Sequence, residues 1–256
     1  MKNKHTNNKQ DAQTDKQKLL LSSSSPFSVQ EAYKTLRTNV IFSLPGSGSK
    51  CIGVISANRS EGKSSIAINL AISFAQIDKK VIIIDCDMRL PTVASKLSIE
   101  SCPGLSDYLI GAESDITVRN MIKSNVDVLT AGKIPPDSTV LIASQAMSDL
   151  IDFLKTRYDY LIFDFPPLTI VSDAVMLSSK IDGYLVVVRH RLSEFRKINE
   201  TLRQMDFSNA KIIGFVYNGK GEEKKYYKKK GYYKGYYKYY YRDNYYKKPT
   251  ESKDTQ

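Results

Sequence analysis

Short apolar runs rich in valine and isoleucine alternate with amphipathic stretches along most of this chain of 256 residues. Six runs are predicted to be buried strands: CIGVIS, KVIIIDCD, VDVLTAG, YLIFDFPP, GYLVVVR and KIIGFVYN. Helices are predicted between several of them, in KSSIAINLAISFAQI, SQAMSDLIDFLKTRY and LSEFRKINETLRQM. Continuous apolar strands separated by helices are typical of a parallel sheet that is covered on both faces. The sequence therefore predicts an α/β fold with a doubly wound, mostly parallel sheet.

The two ends of the chain differ in composition from this middle part. Residues 1–26 are rich in Lys, Asn, Gln and Ser, which offer too little apolar surface to offset the entropy of ordering, and they are predicted to be a disordered arm. The predicted domain covers 27–218. Residues 219–256, called the tail below, are predicted to be flexible. From position 220 onward the tail has 12 Lys and Arg against 5 Asp and Glu, so it carries +7 of the net charge of +11.

The stretch SVQEAYKTLRTNVIFS, from Ser28 to Ser43, predicts a helix that precedes the sheet. Its apolar residues recur at helical spacing. Ser28 could cap this helix, and Glu31, three positions later, would complete a capping box. The same face carries Lys34 and Arg37, three and six positions after Glu31, which predicts at least an ion pair within the helix.

The spacing of the cysteines and the hydropathy of the chain indicate the cellular compartment. The three cysteines show no CxxC or His-paired spacing, which favours a reducing environment. The polar N-terminus lacks a following apolar segment, and no run approaches the ~18–20 apolar residues of a membrane span. We expect a cytoplasmic chain that is neither exported nor membrane-spanning by itself.

The first strand leads directly into ANRSEGKSS and then into a helix. The pattern G-x-x-x-x-G-K-[ST] is met from Ala57 to Ser64, except that Ala57 replaces the first glycine. Gly62 lets the backbone approach phosphates, the helix N-terminus presents free N–H groups, and Lys63 and Ser64 supply a cation and a Mg²⁺ ligand. This phosphate loop, residues 57–64, predicts a site for a nucleoside triphosphate and its metal.

Carboxylates follow two of the predicted strands. Asp85 and Asp87 leave the strand VIIID, and Asp164 leaves YLIFD. Ligands of open α/β sheets bind in the crevice at the carboxyl ends of the strands. Any one of these aspartates could simply cap a turn, but the three together favour a metal and phosphate site.

With these segments identified, the chain resembles the bacterial tyrosine kinases of the capsule and exopolysaccharide family, of the cytoplasmic CpsD/CapB type. The resemblance rests on EAYKTLRTN, the Walker A segment SANRSEGKSS, the Walker A′ segment IIIDCDMRLP, GLSDYL, LTAGKIPPDS, the Walker B segment LIFDFPP, VSDA and the tyrosine cluster. It implies a P-loop NTPase fold and an ATP-dependent protein-tyrosine kinase. Such an enzyme would phosphorylate its own tail and regulate capsular or extracellular polysaccharide synthesis and export.

The resemblance also implies roles for individual residues. Lys63 would contact the β- and γ-phosphates of ATP, and one Walker A′ aspartate would accept the tyrosine proton. The implied catalytic residues are Lys63, Asp85, Asp87 and Asp164. The implied Mg²⁺ ligands are Ser64, Asp85, Asp87 and Asp164. The implied nucleotide-binding residues are Ala57, Asn58, Arg59, Ser60, Glu61, Gly62, Lys63, Ser64, Ser65 and Asn218. The implied autophosphorylation sites are Tyr226, Tyr227, Tyr232, Tyr233, Tyr236, Tyr237, Tyr239, Tyr240, Tyr241, Tyr245 and Tyr246.

Partners are implied by the same family. Glu31, Lys34 and Arg37 would contact the next subunit in a homo-oligomeric ring, for instance an octamer, while an exposed ion pair within the helix remains the alternative. A membrane adaptor of the polysaccharide co-polymerase type would activate the kinase and recruit it to the inner face of the cell membrane, and a cognate protein-tyrosine phosphatase would reverse its action. The chain departs from the family at Arg59 and Ser60, where Pro-Gly is usual. Arg89 could add a further cation to the site or form a salt bridge at the strand edge.

Two other classes of function fit parts of the sequence. Partitioning and division-site ATPases of the ParA/MinD type share the sheet and the Walker B pattern, but Asn58 occupies the place of their signature lysine. Interleaved tyrosine and lysine could also stack on bases and contact phosphates of a nucleic acid. The kinase interpretation treats the tail as substrate instead, and no nucleic acid partner is expected. Each phosphate would add about −1.5 to −2 charges, so a few would reverse the charge of the tail.

Overall fold

Seven strands form one sheet in the computed structural model, which describes residues 20–121 and 124–219. The order across the sheet is β3-β4-β2-β5-β1-β6-β7, and every neighbouring pair is parallel except β3 with β4. The strands are β1 (Lys50–Ser56), β2 (Val81–Asp85), β3 (Arg119–Met121), β4 (Val126–Leu129), β5 (Tyr160–Asp164), β6 (Gly183–Arg189) and β7 (Ile212–Asn218). All six predicted strands are therefore present.

Eight helices connect and cover these strands within the described ranges. They are α1 (Phe27–Ser43), α2 (Lys63–Ala75), α3 (Val93–Leu97), α4 (Leu105–Leu109), α5 (Ser138–Ile142), α6 (Gln145–Lys155), α7 (Asp173–Met176) and α8 (Phe195–Phe207). The three predicted helices between strands correspond to α2, α6 and α8. Four helices of four or five residues were not predicted, because a single turn carries too little periodicity to be recognised.

The apolar core lies on both faces of the sheet, as expected for a doubly wound fold. Residues along β2 alternate between the two faces. Ile82 and Ile84 belong to the core on the face that also includes residues of α6 and α8, whereas Val81 and Ile83 belong to the core on the face that includes residues of α1 and α2. These strand residues are almost completely buried. The α/β prediction is confirmed, and none of the described helices is long and apolar enough to cross a lipid bilayer.

Two predictions about the N-terminal part need correction. The helix α1 begins at Phe27 after Pro26 and has no side-chain cap, so Ser28 lies inside its first turn and the predicted capping box does not form. The predicted disordered arm also extends too far, because the described structure begins at position 20. Leu21 is buried, and its N–H donates to Asn69 Oδ1 on α2 at 2.8 Å. This apolar anchor lies within the predicted arm, between the polar residues 1–18 and the serines 22–25. The tail lies outside the described residues except for Gly219.

Candidate active site

The carboxyl ends of β2 and β5 bring two of the predicted aspartates together. These strands are parallel neighbours, and Asp85 is paired in register with Asp164. Asp87 follows two residues beyond the end of β2. Lys63 is the first residue of α2, which follows β1 on the other side of β5. The order of the strands thus brings residues from three distant segments together in one cluster at the carboxyl ends of the strands.

Lys63 lies between two carboxylates. Its Nζ is 3.1 Å from Asp87 Oδ2 and 3.7 Å from Asp164 Oδ1, and the residue is only 8% exposed. Burial by itself would lower the pKa of Lys63, but the negative charges of Asp164, Asp87 and Asp85 outweigh this effect and raise the pKa. The ammonium group is therefore charged at neutral pH and can bind phosphate oxygens.

The two buried aspartates differ in how their oxygens are used. Burial raises the pKa of Asp85 well above its usual value, and the nearby Asp164 raises it further. Both Asp85 oxygens accept backbone N–H groups, from Asp87 at 3.1 Å and from Val93 at 3.2 Å. Burial also raises the pKa of Asp164, although Lys63 and the Ser64 hydroxyl oppose this shift. Within the described residues, neither Asp164 oxygen has a hydrogen-bond partner of good geometry. Asp164 is therefore free to accept a ligand.

The chemistry of this donor set fits Mg²⁺ held together with phosphates. Magnesium usually takes one or two carboxylates, several waters and substrate phosphate oxygens rather than a cage made only of protein. The two Asp164 oxygens accept no hydrogen bond from the described residues, and Lys63 Nζ is 3.7 Å from one of them. The Ser64 hydroxyl lies 2.9 Å from that of Thr92. Residues 20–121 and 124–219 contain no group of three or more His, Cys, Asp or Glu that could hold a metal ion, and the Lys63 ammonium lies between two of the carboxylates. A phosphate-bound ion would complete its coordination from the nucleotide.

The phosphate loop directs its carbonyl groups outward. Five carbonyls accept hydrogen bonds from groups around the loop: Ala57 from Thr169, Asn58 from Ser56, Ser60 from Arg189, Glu61 from Asn218 and Gly62 from the N–H of Ile66. The first N–H groups of α2 have no partner within the helix, and its N-cap residue, Gly62, has no capping side chain. Outward carbonyls and free N–H groups together form a cradle for phosphate.

Gly62 is required at its position for two reasons. Its φ of 98° lies in the left-handed region. A Cβ atom there would come within 2.1 Å of Asn218 Nδ2. Asn218 donates from Nδ2 to the Glu61 carbonyl at 2.9 Å, so this predicted nucleotide-binding residue contacts the loop. We call a residue that holds the loop backbone in this way a brace. The contact of Asn218 with the base stays a prediction.

A buried glutamate organises the first half of the loop. Glu61 is 1% exposed and accepts from the backbone N–H of Asn58 at 3.0 Å, from Asn58 Nδ2 at 3.3 Å and from the Ser193 hydroxyl. Asn58, at the place of the ParA/MinD signature lysine, is thus bound within its own loop. Sequence reasoning missed the bracing residues Thr169, Arg189 and Ser193. No motif marks them, because they reach the loop only through the folding of distant segments.

The departure from Pro-Gly has a visible backbone consequence. Ser60 adopts a φ of 63°, in the left-handed region where glycine is favoured. Arg59 and Ser60 are both exposed, so the departure changes the outer corner of the loop rather than its buried part. The loop therefore keeps a geometry suited to glycine while carrying a residue that tolerates it less well.

The three helix residues implied in ring assembly make contacts within the chain. Lys34 Nζ lies 2.8 Å from Glu31 Oε1, and both side chains are about half exposed. Arg37 donates to the carbonyl and, at 3.3 Å, to the hydroxyl of Ser73 on α2. The ion pair within the helix is thus present, while a role between subunits stays a proposal. The eleven tail tyrosines lie outside the described residues.

Comparison with known proteins agrees with this geometry. Residues 48–234 match the family ParA, whose description is "NUBPL iron-transfer P-loop NTPase". The match covers more than half of the chain and, with the parallel sheet and the phosphate loop, defines a P-loop NTPase. The iron-transfer function in that description concerns another member of the fold.

Within this class, the chain is similar to tyrosine kinases. The chain is 36% identical over 204 residues to the tyrosine-protein kinase YwqD of Bacillus subtilis, covering 79% of this chain and 85% of YwqD. It therefore belongs to the bacterial tyrosine-protein kinase family.

Two solved structures agree. The chimerical protein CapA2B2 is 33% identical with a TM-score of 0.70, covering 76% of this chain and 85% of that chain. The kinase domain of the Escherichia coli tyrosine kinase ETK is 27% identical with a TM-score of 0.73, covering 79% and 80%. The kinase relatives, with Asn58 in place of the signature lysine, favour this family over a partitioning ATPase.

Proposed function

We propose that this tyrosine kinase transfers the γ-phosphoryl group of Mg²⁺·ATP to the tyrosine cluster of its own tail. The observation that carries this proposal is the position of Lys63, held at the phosphate loop between Asp87 and Asp164. Phosphoryl transfer depends mainly on positioning and charge neutralisation, with a carboxylate placed to take the hydroxyl proton. The cluster contains each of these elements.

Each residue of the cluster has a distinct part in the proposed reaction. Lys63 neutralises phosphate oxygens, and Ser64 with Asp164 would hold Mg²⁺, which would supply further charge neutralisation when bound. Asp87 is the candidate base because it retains about 5% exposure, whereas Asp85 and Asp164 are completely buried. A tyrosine hydroxyl can approach only a carboxylate that reaches the surface. Asp85 anchors the turn that carries Asp87.

The distribution of tyrosines supports the tail as acceptor. Eleven of the 17 tyrosines lie in the tail. Of the six others, Tyr184 is buried, and its hydroxyl donates to the Ala174 carbonyl. Tyr217 is the only one of the six that is largely exposed, at 64%. Most tyrosines of the domain are therefore unsuited to enter a kinase site while the domain is folded.

A mixing experiment tests the transfer and its direction. One full-length chain carries Lys63→Met and keeps all its tyrosines. The other is active but has the eleven tail tyrosines changed to phenylalanine. After incubation with Mg²⁺·ATP, mass spectrometry should find phosphotyrosine in the tail of the Lys63→Met chain, because a neighbour's site reaches it. Lys80→Met serves as a matched control. Lys80 is exposed and lies just before β2, at the amino end of that strand, whereas the active site lies at the carboxyl ends.

The outcomes separate the possible failures. A parent chain without any tail phosphotyrosine, both alone and with the adaptor peptide described below, would contradict the proposed acceptor. Labelling of the parent at a rate independent of protein concentration, with none on the Lys63→Met chain in the mixture, would mean transfer within one chain. Phosphate on Tyr217 alone would place the acceptor in the domain.

We further propose a cellular setting that follows from the family resemblance. The kinase would act in capsular or extracellular polysaccharide synthesis and export, in the cytoplasm at the inner face of the cell membrane. A membrane adaptor of the polysaccharide co-polymerase type would recruit and activate it there, and a phosphatase would reset it. Addition of a peptide from the adaptor's cytoplasmic tail should raise the phosphorylation rate well above that of the isolated chain, and full activity without it would contradict this dependence.

Ring assembly through α1 is the last part of the proposal. Glu31 and Lys34 are the residues to change, because Arg37 also holds α2 within the chain. The double variant Glu31→Ala/Lys34→Ala should reduce the assembled fraction measured by analytical ultracentrifugation in the presence of the adaptor peptide. Equal assembly by the double variant and the parent would reduce the Glu31–Lys34 contact to an exposed ion pair worth ~0–1 kcal/mol.

A further inference from the structure

Three residues from separate segments form a hydrogen-bonded row beside the active site. Arg89 follows Asp87 by two positions, Thr139 lies in the first turn of α5, and Asp173 begins α7. Arg89 Nη2 donates to Thr139 Oγ1 at 3.0 Å, and the same hydroxyl donates to Asp173 Oδ1 at 2.9 Å. The residue directly after LTAGKIPPDS and an aspartate of VSDA thus contact an arginine of the Walker A′ segment, and the reaction above assigns no role to either segment.

The polarity of this row is fixed by chemistry. A carboxylate only accepts hydrogen bonds, so the single Thr139 proton must point to Asp173, which leaves the oxygen lone pairs for Arg89. Asp173 has no exposed surface. Burial raises the pKa of Asp173, although the Thr139 hydroxyl and the charge of Arg89 oppose this shift. The backbone of Thr139 is held by Asp137, whose Oδ1 accepts its N–H at 2.9 Å.

Arg89 has binding capacity left after this contact. Its side chain is exposed, and within residues 20–121 and 124–219 it makes no ion pair, so the salt bridge at the strand edge that the sequence allowed does not form. A guanidinium group has five N–H donors in a planar fork that matches phosphate oxygens. Arg89 and Asp87 are two residues apart in the turn that follows β2, so the row lies close to the proposed base.

The charge of the tail indicates which group Arg89 binds. The tail carries +7, with lysines around its tyrosines, so a cation at the site repels the acceptor before transfer. The phosphoryl group in transfer is negative throughout. We infer that Thr139 and Asp173 are positioning residues that hold Arg89 against the phosphoryl group as it passes to the acceptor.

The reaction step is balanced without a change at Arg89. The bond from the γ-phosphorus to its bridging oxygen breaks, a bond to the tyrosine oxygen forms, and the tyrosine proton passes to the proposed base. Arg89 stays protonated and contributes only charge and hydrogen bonds. The inference rests on the proposed phosphoryl transfer, but it does not depend on which hydroxyl is the acceptor.

Binding of ADP and of its transition-state analogue tests this role in the full-length chain. Mg²⁺·ADP occupies the phosphate loop, whereas Mg²⁺·ADP with aluminium fluoride adds a mimic of the phosphoryl group in transfer. Thr139→Val removes the hydroxyl at nearly constant volume, and Thr139→Ser keeps it. We expect Thr139→Val to weaken binding of the aluminium fluoride complex about tenfold, with Mg²⁺·ADP affinity unchanged and Thr139→Ser like the parent, because misplaced charge costs transition-state stabilisation.

A double-mutant cycle separates positioning from a structural effect. In the Arg89→Ala background, Thr139→Val should cause no further loss, since the group that it positions is gone. An additive loss, equal losses for both nucleotide complexes, or no loss in Thr139→Val would each overturn the inference. Phosphotyrosine measured on the same proteins tests the proposed function separately. A parent chain that binds the aluminium fluoride complex but labels no tyrosine would overturn the acceptor and not the role of Arg89.

Discussion

The two sides of the active site are built in different ways. On the nucleotide side, the phosphate loop is surrounded by bracing groups, and Glu61 inside it is 1% exposed. On the acceptor side, Arg89 is exposed and held by a single hydroxyl, and Thr139 lies in a five-residue helix. Every ATP molecule presents the same phosphates, so rigid preorganisation is favourable there. The acceptor side must instead admit and release a long, charged segment.

The largest effect should follow from removing the cation shared by both sides. Lys63→Met should reduce phosphotransfer by at least about 100-fold, because a charge aimed at the transferring group is lost. Its fold should survive, since Met fills the same space. Phosphotyrosine immunoblotting measures the effect, with circular dichroism as the check on folding and Lys80→Met as the control. Normal labelling by the Lys63→Met chain would refute the site.

Asp87→Asn should affect the acceptor side of the site much more than the nucleotide side. The amide cannot take the tyrosine proton, so we expect a loss of about 100-fold in transfer, within the usual range for general base catalysis. Nucleotide affinity should change much less, because the loop and its braces remain. Titration with a fluorescent ADP analogue alongside a phosphorylation time course distinguishes the two quantities. Parallel losses in both would show that Asp87 belongs to the nucleotide side alone.

Glu61→Gln tests the rigidity of the nucleotide side. Gln presents an amide group where Asn58 and Ser193 both donate, so one donor loses its acceptor at a cost of about 1–3 kcal/mol. We expect lower thermal stability and a nucleotide affinity reduced by about threefold to tenfold. Glu194→Gln, at an exposed position, is the matched control. An affinity equal to that of the parent would mean that the loop does not need this brace.

Ser60→Gly should have the smallest effect and the opposite sign. Glycine adopts a φ of 63° without the steric cost of a Cβ, which is ~1–2 kcal/mol for other residues, but it also loses more entropy on folding. A net stabilisation of about 0.5–1 kcal/mol is expected in denaturant unfolding, together with slightly tighter nucleotide binding. Ser47→Gly, in the exposed loop before β1, serves as the comparison. Destabilisation by Ser60→Gly would show that the serine side chain matters more than its backbone.

The sequence by itself determined the fold class and most of the nucleotide side. Apolar runs and helical periodicity are local patterns, and they predicted six of the seven strands. The phosphate loop and the aspartates could also be recognised, because the chemistry needs fixed residue types at the carboxyl ends of strands. The short antiparallel strand β3 was missed, since three residues with a single apolar side chain, Met121, carry no recognisable strand pattern.

Only the tertiary structure decided how these parts are held. The pairing of Asp85 with Asp164 depends on the order of the strands, which local patterns do not contain. The brace from Arg189 to Ser60 joins residues 129 positions apart, and the contact from Thr139 to Asp173 joins residues 34 positions apart. Such hydrogen bonds need only one donor and one acceptor, which many surface residues could supply. The choice among them is made by the packing of the sheet and its helices, so no spacing along the chain reveals it.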